Sequence, residues 1–257
     1  MEREENIQRE RVSLVEKTEE LVRLARTCGP LVVLSGAGMS TESNLADFRS
    51  REGLWARFDP MRLATLSALA REPGEFYAFY RMRLEALKGA EPNSGHRVLA
   101  GWEEKGILAA IVTQNVDGLH QRAGSKKVVE LHGSLRTARC TRCGAPFPGM
   151  ELLERTECGK CGGPLRPDVV LFGENLPSEA LEEAERLAST CGFFLVLGSS
   201  LAVSPANSLP RIAKACGARL AIVNREPTPL DGIADLVARR EIGVTLKAVD
   251  KRIEGGF

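Results

Sequence analysis

Apolar residues in this chain come as short unbroken runs set between longer amphipathic stretches. The run Leu31-Val32-Val33-Leu34 follows a segment, 16–26, that spaces Leu21, Val22, Leu24 and Ala25 among charged residues. That pattern predicts an amphipathic helix feeding a fully buried strand. Similar runs recur at 108–112, 128–131, 193–197 and 220–223, with helical periodicity over 178–190 and 205–216 between several of them. Strands that read as continuous apolar runs and alternate with helices predict an α/β fold, a Rossmann-like parallel sheet covered on both faces. Two stretches break the alternation: a mostly helical one, 53–102, and a cysteine-bearing one, 137–164. The sheet-forming pattern is thereby left to 1–52, 103–136 and 165–257.

Ligands of such sheets bind beyond the carboxyl ends of the strands. Gly36, Gln114, His132, Gly198 and Asn224 all fall just past predicted strand ends. Gly36-Ala37-Gly38 after the first strand suits a turn whose backbone N–H groups approach a pyrophosphate, although Thr41 replaces the usual third glycine. Taken alone it reads almost as well as an ordinary strand-to-helix turn. Its company strengthens it: Gln114-Asn115-Val116-Asp117, Gly198-Ser199-Ser200 and Asn224 converge on the same sheet edge, with Asp47-Phe48-Arg49 close behind the glycines.

The cysteine insertion carries the sharpest chemistry. Cys140-x2-Cys143 and Cys158-x2-Cys161 supply four thiolates in the spacing that closes a tetrahedral zinc shell, a structural site because no position is left for water. The competing reading is two disulfides. It is weakened by the N-terminal segment 1–20, which is crowded with charges and has no secretory apolar core, so a reducing, cytoplasmic setting is expected. The remaining cysteines, Cys28, Cys191 and Cys216, read as small buried hydrophobes. The run 192–203 is short and broken by Gly198, Ser199 and Ser200, so no membrane span is expected. Lys+Arg 35 against Asp+Glu 34 gives a net charge of +1, which offers nucleic acid no general attraction.

Gly36-Ala37-Gly38-Met39-Ser40, Asp47-Phe48-Arg49, the stretch from Thr113 to His120 (Thr-Gln-Asn-Val-Asp-Gly-Leu-His), Leu131-His132-Gly133, the four cysteines and Phe172-Gly173-Glu174-Asn175 occur in the order of the sirtuin (Sir2) family. The chain resembles that family of NAD-dependent protein lysine deacylases over nearly its whole length. The resemblance implies an NAD cleft between a Rossmann-like large domain, 1–52, 103–136 and 165–257, and a smaller discontinuous domain made of the helical module 53–102 and a zinc-ribbon module 137–164. It also implies a reaction in which acyl-lysine and NAD give lysine, nicotinamide and O-acyl-ADP-ribose. By the same likeness His132 is the general base that deprotonates a ribose hydroxyl, a task suited to a side chain titrating near neutrality. Gln114, Asn115 and Asp117 would face the ribose and nicotinamide, and Ser40 and Trp55 would belong to the cofactor site. Asp47, Phe48 and Arg49 would form the cofactor loop, with Phe48 shielding the reactive ribose from water. Gly198, Ser199, Ser200 and Asn224 would hold phosphate and adenosine ribose. Val170, Phe172 and the backbone of Gly173, Glu174 and Asn175 would flank an acyl-lysine peptide added as a strand. His120 is expected to be a structural hydrogen-bonder and His96 a helix-start residue.

Two departures stand out. Ala46 occupies the place of the family's loop proline, which leaves that loop less stiff, and Ile242 stands where an alanine is common, which puts an adenine contact there in question. A finer likeness lies in Tyr80-Arg81-Met82-Arg83. Composition alone makes it a solvated helix face with a core tyrosine. Its Tyr-x2-Arg spacing ahead of Glu91-Pro92-Asn93 resembles the sirtuin subgroup that removes succinyl and malonyl groups. Residues three apart share a helix face, so Tyr80 and Arg83 can both address one acyl carboxylate. ADP-ribosyl transfer and non-catalytic sensing of NAD or ADP-ribose are the alternative functions.

Overall fold

The computed structural model describes residues 2–48, 53–56 and 58–255. Helix α1 (Glu2–Thr27) leads into β1 (Leu31–Ser35), followed by α2 (Pro60–Leu63), α3 (Leu66–Arg71) and α4 (Pro73–Lys88). Then come α5 (Ser94–Glu104), β2 (Leu108–Thr113), α6 (Leu119–Arg122) and β3 (Val128–Glu130). The short strands β4 (Gly133–Cys140), β5 (Pro146–Pro148) and β6 (Leu165–Val169) precede α7 (Ser178–Thr190), β7 (Phe193–Leu197) and α8 (Leu209–Ala215). The chain closes with β8 (Arg219–Val223), β9 (Leu236–Ala238) and α9 (Ile242–Glu254).

Strand order β3-β2-β1-β7-β8-β9 makes one parallel sheet in which the chain runs outward from β1 in both directions. Such a reversal leaves a crevice at the carboxyl end of the central strand. Register brings the last residues of four strands level there: Ser35 pairs with Thr113 on one side and Leu197 on the other, and Leu197 with Val223. Both sheet faces are covered. Val33, Ile111 and Leu195 pack under α1, α5 and α9 through Leu24, Leu99, Trp102 and Leu246; Val32, Leu34 and Phe194 pack under α7 and α8 through Leu187 and Leu209. Two-sided burial is why these strands read as unbroken apolar runs.

A third core lies off the sheet. Helix α4 turns Phe76, Phe79, Tyr80, Leu84 and Leu87 onto Leu135, Ala138, Leu152 and Leu165, which belong to the second, antiparallel sheet β5-β4-β6 and its turn. Polar bonds stitch the same contact: the Tyr77 hydroxyl donates to the Leu165 carbonyl at 2.8 Å and Arg81 Nε to the Leu152 carbonyl at 2.8 Å. The helical and cysteine-bearing insertions thus bury one core between them.

The structure differs from the sequence reading in several places. α5 packs on the main sheet, with Trp102 Nε1 donating to Asp250 of α9 at 2.9 Å, so the helices that leave the sheet end with α4 and short of residue 102. The second sheet reaches Gly133 and Val169, beyond 137–164 at both ends, because β4 and β6 continue pairing toward the main sheet. The segment 205–216 divides into a 3₁₀ turn, Ala206–Ser208, and α8, and β9 adds an edge strand too short to show a pattern. Of the three cysteines outside the motif, Cys191 is buried, but Cys28 is only partly so and Cys216 is exposed. Cys216 ends α8 where the chain turns at the surface through Gly217 at φ +92°. Among the described residues no helix is long and apolar enough to cross a membrane.

Candidate active site

Beyond the level strand ends a cleft of about 450 Å³ opens between the main sheet and the off-sheet core. Its floor depends on backbone contact. Gly36, extended at φ −122°, and Gly38 lie against Gly198; a Cβ at Gly36 would meet the Gly198 carbonyl at 2.7 Å, and one at Gly38 the Gly198 Cα at 2.8 Å. Gly198 itself sits at φ +61°, where side chains are strained. The glycines therefore let the β1 and β7 loops touch, and Gly38 N–H donates to the Gly198 carbonyl at 2.9 Å. The element that follows is a 3₁₀ helix, Ala37–Ser43, rather than the α-helix of a standard dinucleotide turn.

Hydroxyl and amide groups fix the next layer. The Ser35 hydroxyl donates to Thr113 Oγ1 at 2.8 Å, and Thr113 Oγ1 in turn accepts the Asn115 N–H at 3.0 Å. Asn115 Nδ2 reaches the Gly36 carbonyl at 3.0 Å and Ser40 Oγ at 3.2 Å, while Ser40 donates to Asp117 Oδ2 at 2.7 Å. Gln114 Nε2 donates to Ser199 Oγ at 2.9 Å. Burial raises the Asp117 carboxyl above its usual range, against the bonds from Leu119 N–H and Ser40 that favour its charged form. Beneath them, His120 Nε2 lies 2.8 Å from the Ser35 hydroxyl, and His96, third residue of α5, closes a capping box with Asn93. Both fill the supporting roles read from sequence. Burial holds them neutral, His96 down at about 4 and His120 at about 3, where the neighbouring ring of the other histidine adds to the effect.

His132 follows β3 and lines the cleft. Its Nδ1 is 2.9 Å from the Gln114 carbonyl, which can only accept, so Nδ1 carries the proton and Nε2 keeps a lone pair. Burial lowers its pKa, and the bond to Gln114 acts the other way. The next residue, Gly133, takes φ +72° against the Asp168 carbonyl and so turns the chain into β4.

On the opposite wall, Tyr80 and Arg83 of α4 both line the cleft. The Tyr80 ring is 2 % exposed and burial pushes its hydroxyl up to about 12, so it stays a neutral donor. The Arg83 guanidinium lies 5.3 Å from the Phe48 ring and 5.8 Å from those of Phe79 and Tyr80. Among the described residues no carboxylate forms a salt bridge with it; desolvation lowers its pKa, and the electrostatic influence of Tyr80 and Asp117 acts the other way. It stands between the cleft and a smaller adjoining chamber of about 140 Å³ that Ser40, Ala46, Asp117 and Met82 also line.

The cleft gathers most of the residues singled out in the sequence. Gly36, Ala37, Gly38, Asp47, Phe48, Gln114, Asn115, His132, Gly198, Ser199, Ser200 and Asn224 line it together with Val170, Phe172, Gly173 and Glu174. Ser40 and Asp117 line the smaller chamber. Asn175 is exposed and outside the lining, Trp55 falls in a 3₁₀ turn, Leu54–Ala56, and Arg49 lies outside the described residues. Ile242 begins α9 and is buried against the core containing Met39 and Leu99, away from the cleft. The sequence reading missed Glu226, Val203 and Leu176, which also line it. Glu226 was accessible to that reading, since a carboxylate just past a strand end is a common ribose ligand.

The four motif cysteines sit at the far end of the second sheet, their sulfurs all within 4.8 Å of one another. Cys140 and Cys161 sulfurs are 3.5 Å apart and those of Cys143 and Cys158 3.8 Å. Tetrahedral zinc–thiolate bonds of about 2.3 Å place sulfurs roughly 3.8 Å apart. The Arg142 and Lys160 N–H groups point at the Cys140 and Cys158 sulfurs, each at 3.4 Å, and so favour thiolates. The donor set fits one structural zinc, which Cys140, Cys143, Cys158 and Cys161 would hold.

A parallel sheet with its crevice at β1, a glycine-floored cleft with a histidine fixed through Nδ1, and a second lobe closed by a four-cysteine cluster that fits zinc define a nucleotide-dependent enzyme with a structural zinc. Residues 36–205 match the Sir2 family, and the chain belongs to it. It is 55 % identical over 224 residues to NAD-dependent protein deacetylase 1 of Geobacillus kaustophilus, covering 86 % of this chain and 93 % of the relative. It is 46 % identical over 227 residues to the NAD-dependent protein deacylase of Aeropyrum pernix, covering 88 % and 93 %. The fold superposes with a TM-score of 0.86, at 39 % identity and over 91 % of this chain and 97 % of the other, on a Sir2 mutant bound to deacetylated p53 peptide and 3′-O-acetyl-ADP-ribose.

Proposed function

We propose that this protein removes acyl groups from protein lysines with consumption of NAD, releasing nicotinamide and O-acyl-ADP-ribose. The observation that carries the reading is His132: one nitrogen is committed to the Gln114 carbonyl and the other is left as a base inside a cleft whose floor suits a pyrophosphate. NAD, when bound, supplies the electrophilic ribose carbon. The chain's own part is to hold and to move protons. Gly36, Gly38, Gly198, Ser199 and Ser200 would receive the phosphates, Asn224 the adenosine ribose, and Asn115, Asp117 and Ser40 the nicotinamide end. His132 Nε2 takes a proton from a ribose hydroxyl, and Phe48 closes over the site against water. The acyl-lysine peptide would run along Val170–Gly173 as an added strand. The discontinuous small domain would form the wall that carries Tyr80, Arg83 and the zinc.

The acyl preference is the finer part of the proposal. A desolvated guanidinium in no salt bridge among the described residues, beside a neutral tyrosine hydroxyl, suits an acyl chain ending in a carboxylate, such as succinyl or malonyl, better than acetyl. Thiols gathered for a metal support a reducing, cytoplasmic setting, and the near-balanced charge gives no support to a nucleic-acid partner. Nicotinamide release, measured with and without acyl-peptide, tests the whole reading. A deacylase releases it only with the peptide, a sensor releases none, and an ADP-ribosyltransferase labels protein without needing the acyl group. Release independent of acyl-peptide would refute the proposal.

A further inference from the structure

Glu174 lines the cleft, yet its carboxylate is already engaged by the protein itself. Both of its oxygens accept from Arg166 of β6, at 2.7 Å from Nη1 and 2.8 Å from Nη2. The second oxygen also accepts the Leu171 N–H at 2.8 Å. Arg166 is 3 % exposed, and two more of its donors go to the carbonyls of Pro167 and Val169. The pair holds the Glu174 carboxyl below its usual range, the bond from Arg166 being the main cause. The segment between them is secured on its other side too: Val170 N–H donates to the His132 carbonyl and Phe172 N–H to the Ala64 carbonyl, at 2.9 and 2.8 Å. Gly173, at φ +89°, has an N–H without a partner among the described residues.

We propose that Arg166 and Glu174 form a positioning clamp that presents residues 170–173 to the acyl-peptide at a fixed distance from His132. The inference rests on the deacylase reading and adds to it a residue, Arg166, that no substrate touches. The physical reason is geometric. A strand added to a free edge needs that edge already extended and held, or the cost of ordering it is subtracted from binding. Here one carboxylate oxygen ties a loop N–H and a buried guanidinium at once, so the loop inherits the rigidity of β6. The same segment leans on the carbonyl of the base, so its displacement alters substrate placement before it alters the cofactor floor.

The test is a double-mutant cycle on peptide kinetics with Glu174→Gln, Glu174→Ala, Arg166→Met and the Glu174→Gln/Arg166→Met double variant, alongside calorimetric NAD binding. Glu174→Ala is expected to raise the peptide KM about tenfold, the scale of the one bond, from Leu171 N–H to the carboxylate, that ties the loop directly, with kcat at saturating peptide and NAD affinity largely retained. Glu174→Gln keeps one acceptor oxygen and recovers part of the loss. Because both residues act through one contact, the double variant should be no worse than the poorer single one. The increase should be equal for peptides with acidic or basic residues beside the acyl-lysine. An increase that follows peptide charge would overturn the clamp, since Glu174 would then touch substrate directly. So would an unchanged KM in Glu174→Ala, or additive effects in the double variant. Glu174→Gln lies on a partly exposed loop, so its KM decides the matter even where Arg166→Met does not fold. A wild-type protein that releases no nicotinamide with acyl-peptide would instead overturn the deacylase reading and the clamp with it.

Discussion

Replacing Arg83 by Met separates two roles that a half-buried cation can play. Methionine keeps the unbranched apolar stem and removes the guanidinium, so packing against Phe48, Phe79 and Tyr80 is largely preserved while five donors disappear. A hydrogen bond to a charged group contributes about 1.5–3 kcal/mol, so catalytic efficiency on a succinyl-lysine peptide should fall by roughly 10- to 100-fold. Efficiency on the acetyl-lysine peptide should stay level or rise. The opposite sign is expected in stability. Arg83 is desolvated with no salt bridge among the described residues, and the longer-range attraction of Tyr80 and Asp117 offsets that cost only in part. Against that stand cation–π contacts of about 0.5–2 kcal/mol with the surrounding rings, so the variant's melting temperature should be unchanged or slightly higher. The assay is steady-state nicotinamide release with succinyl, malonyl and acetyl versions of one peptide, together with a melting curve. A parallel fall on all three, with a lower melting temperature, would show that Arg83 holds the helix α4 wall together rather than reading the acyl group.

His132→Ala should lower turnover by about 10²–10⁴-fold with little change in the NAD dissociation constant, and titration calorimetry of the variant checks the second half. The acid limb of the wild-type rate profile should lie below the ordinary histidine range, because burial lowers the His132 pKa and the neutral base survives to lower pH. Cys140→Ser or Cys158→Ser should lose bound zinc and unfold at lower temperature, since a structural site adds its binding free energy to folding; metal analysis and calorimetry read both. His96 and His120 are held neutral in the fold at about 4 and about 3, while in the unfolded chain they titrate near 6.5. The unfolded state therefore binds more protons below that value, and stability should fall as pH drops from about 6.5 toward 4. A melting temperature that is flat across that window would contradict their burial as neutral rings.

The main sheet was legible because its strands are buried on both faces and so appear as apolar runs, and the metal site because the spacing of Cys140, Cys143, Cys158 and Cys161 has few other uses. The second sheet was not. β5 is bounded by Pro146 and Pro148, and β6 contains Arg166, Pro167 and Asp168, residues that read as turn; their strand geometry comes from pairing with β4 rather than from local preference. α5 was assigned to the wrong neighbour because an amphipathic helix announces a buried face and not what covers it. The site showed the same division. Residues at strand ends could be named in order, but the tautomer of His132 depends on the Gln114 carbonyl, and the commitment of the Glu174 carboxylate depends on Arg166. Tertiary contacts set both, and neither has a sequence signal of its own.

The core that α4 shares with the second sheet also limits how this enzyme can be rebuilt. A graft that exchanges only the cysteine-bearing insertion for that of a relative would carry half of an interior, leaving Phe76, Phe79 and Leu84 facing foreign side chains. The same holds for a transplant of the helices alone. The two segments, distant in the chain, are one packing unit. A chimera should keep its acyl preference only when both segments come from the same donor.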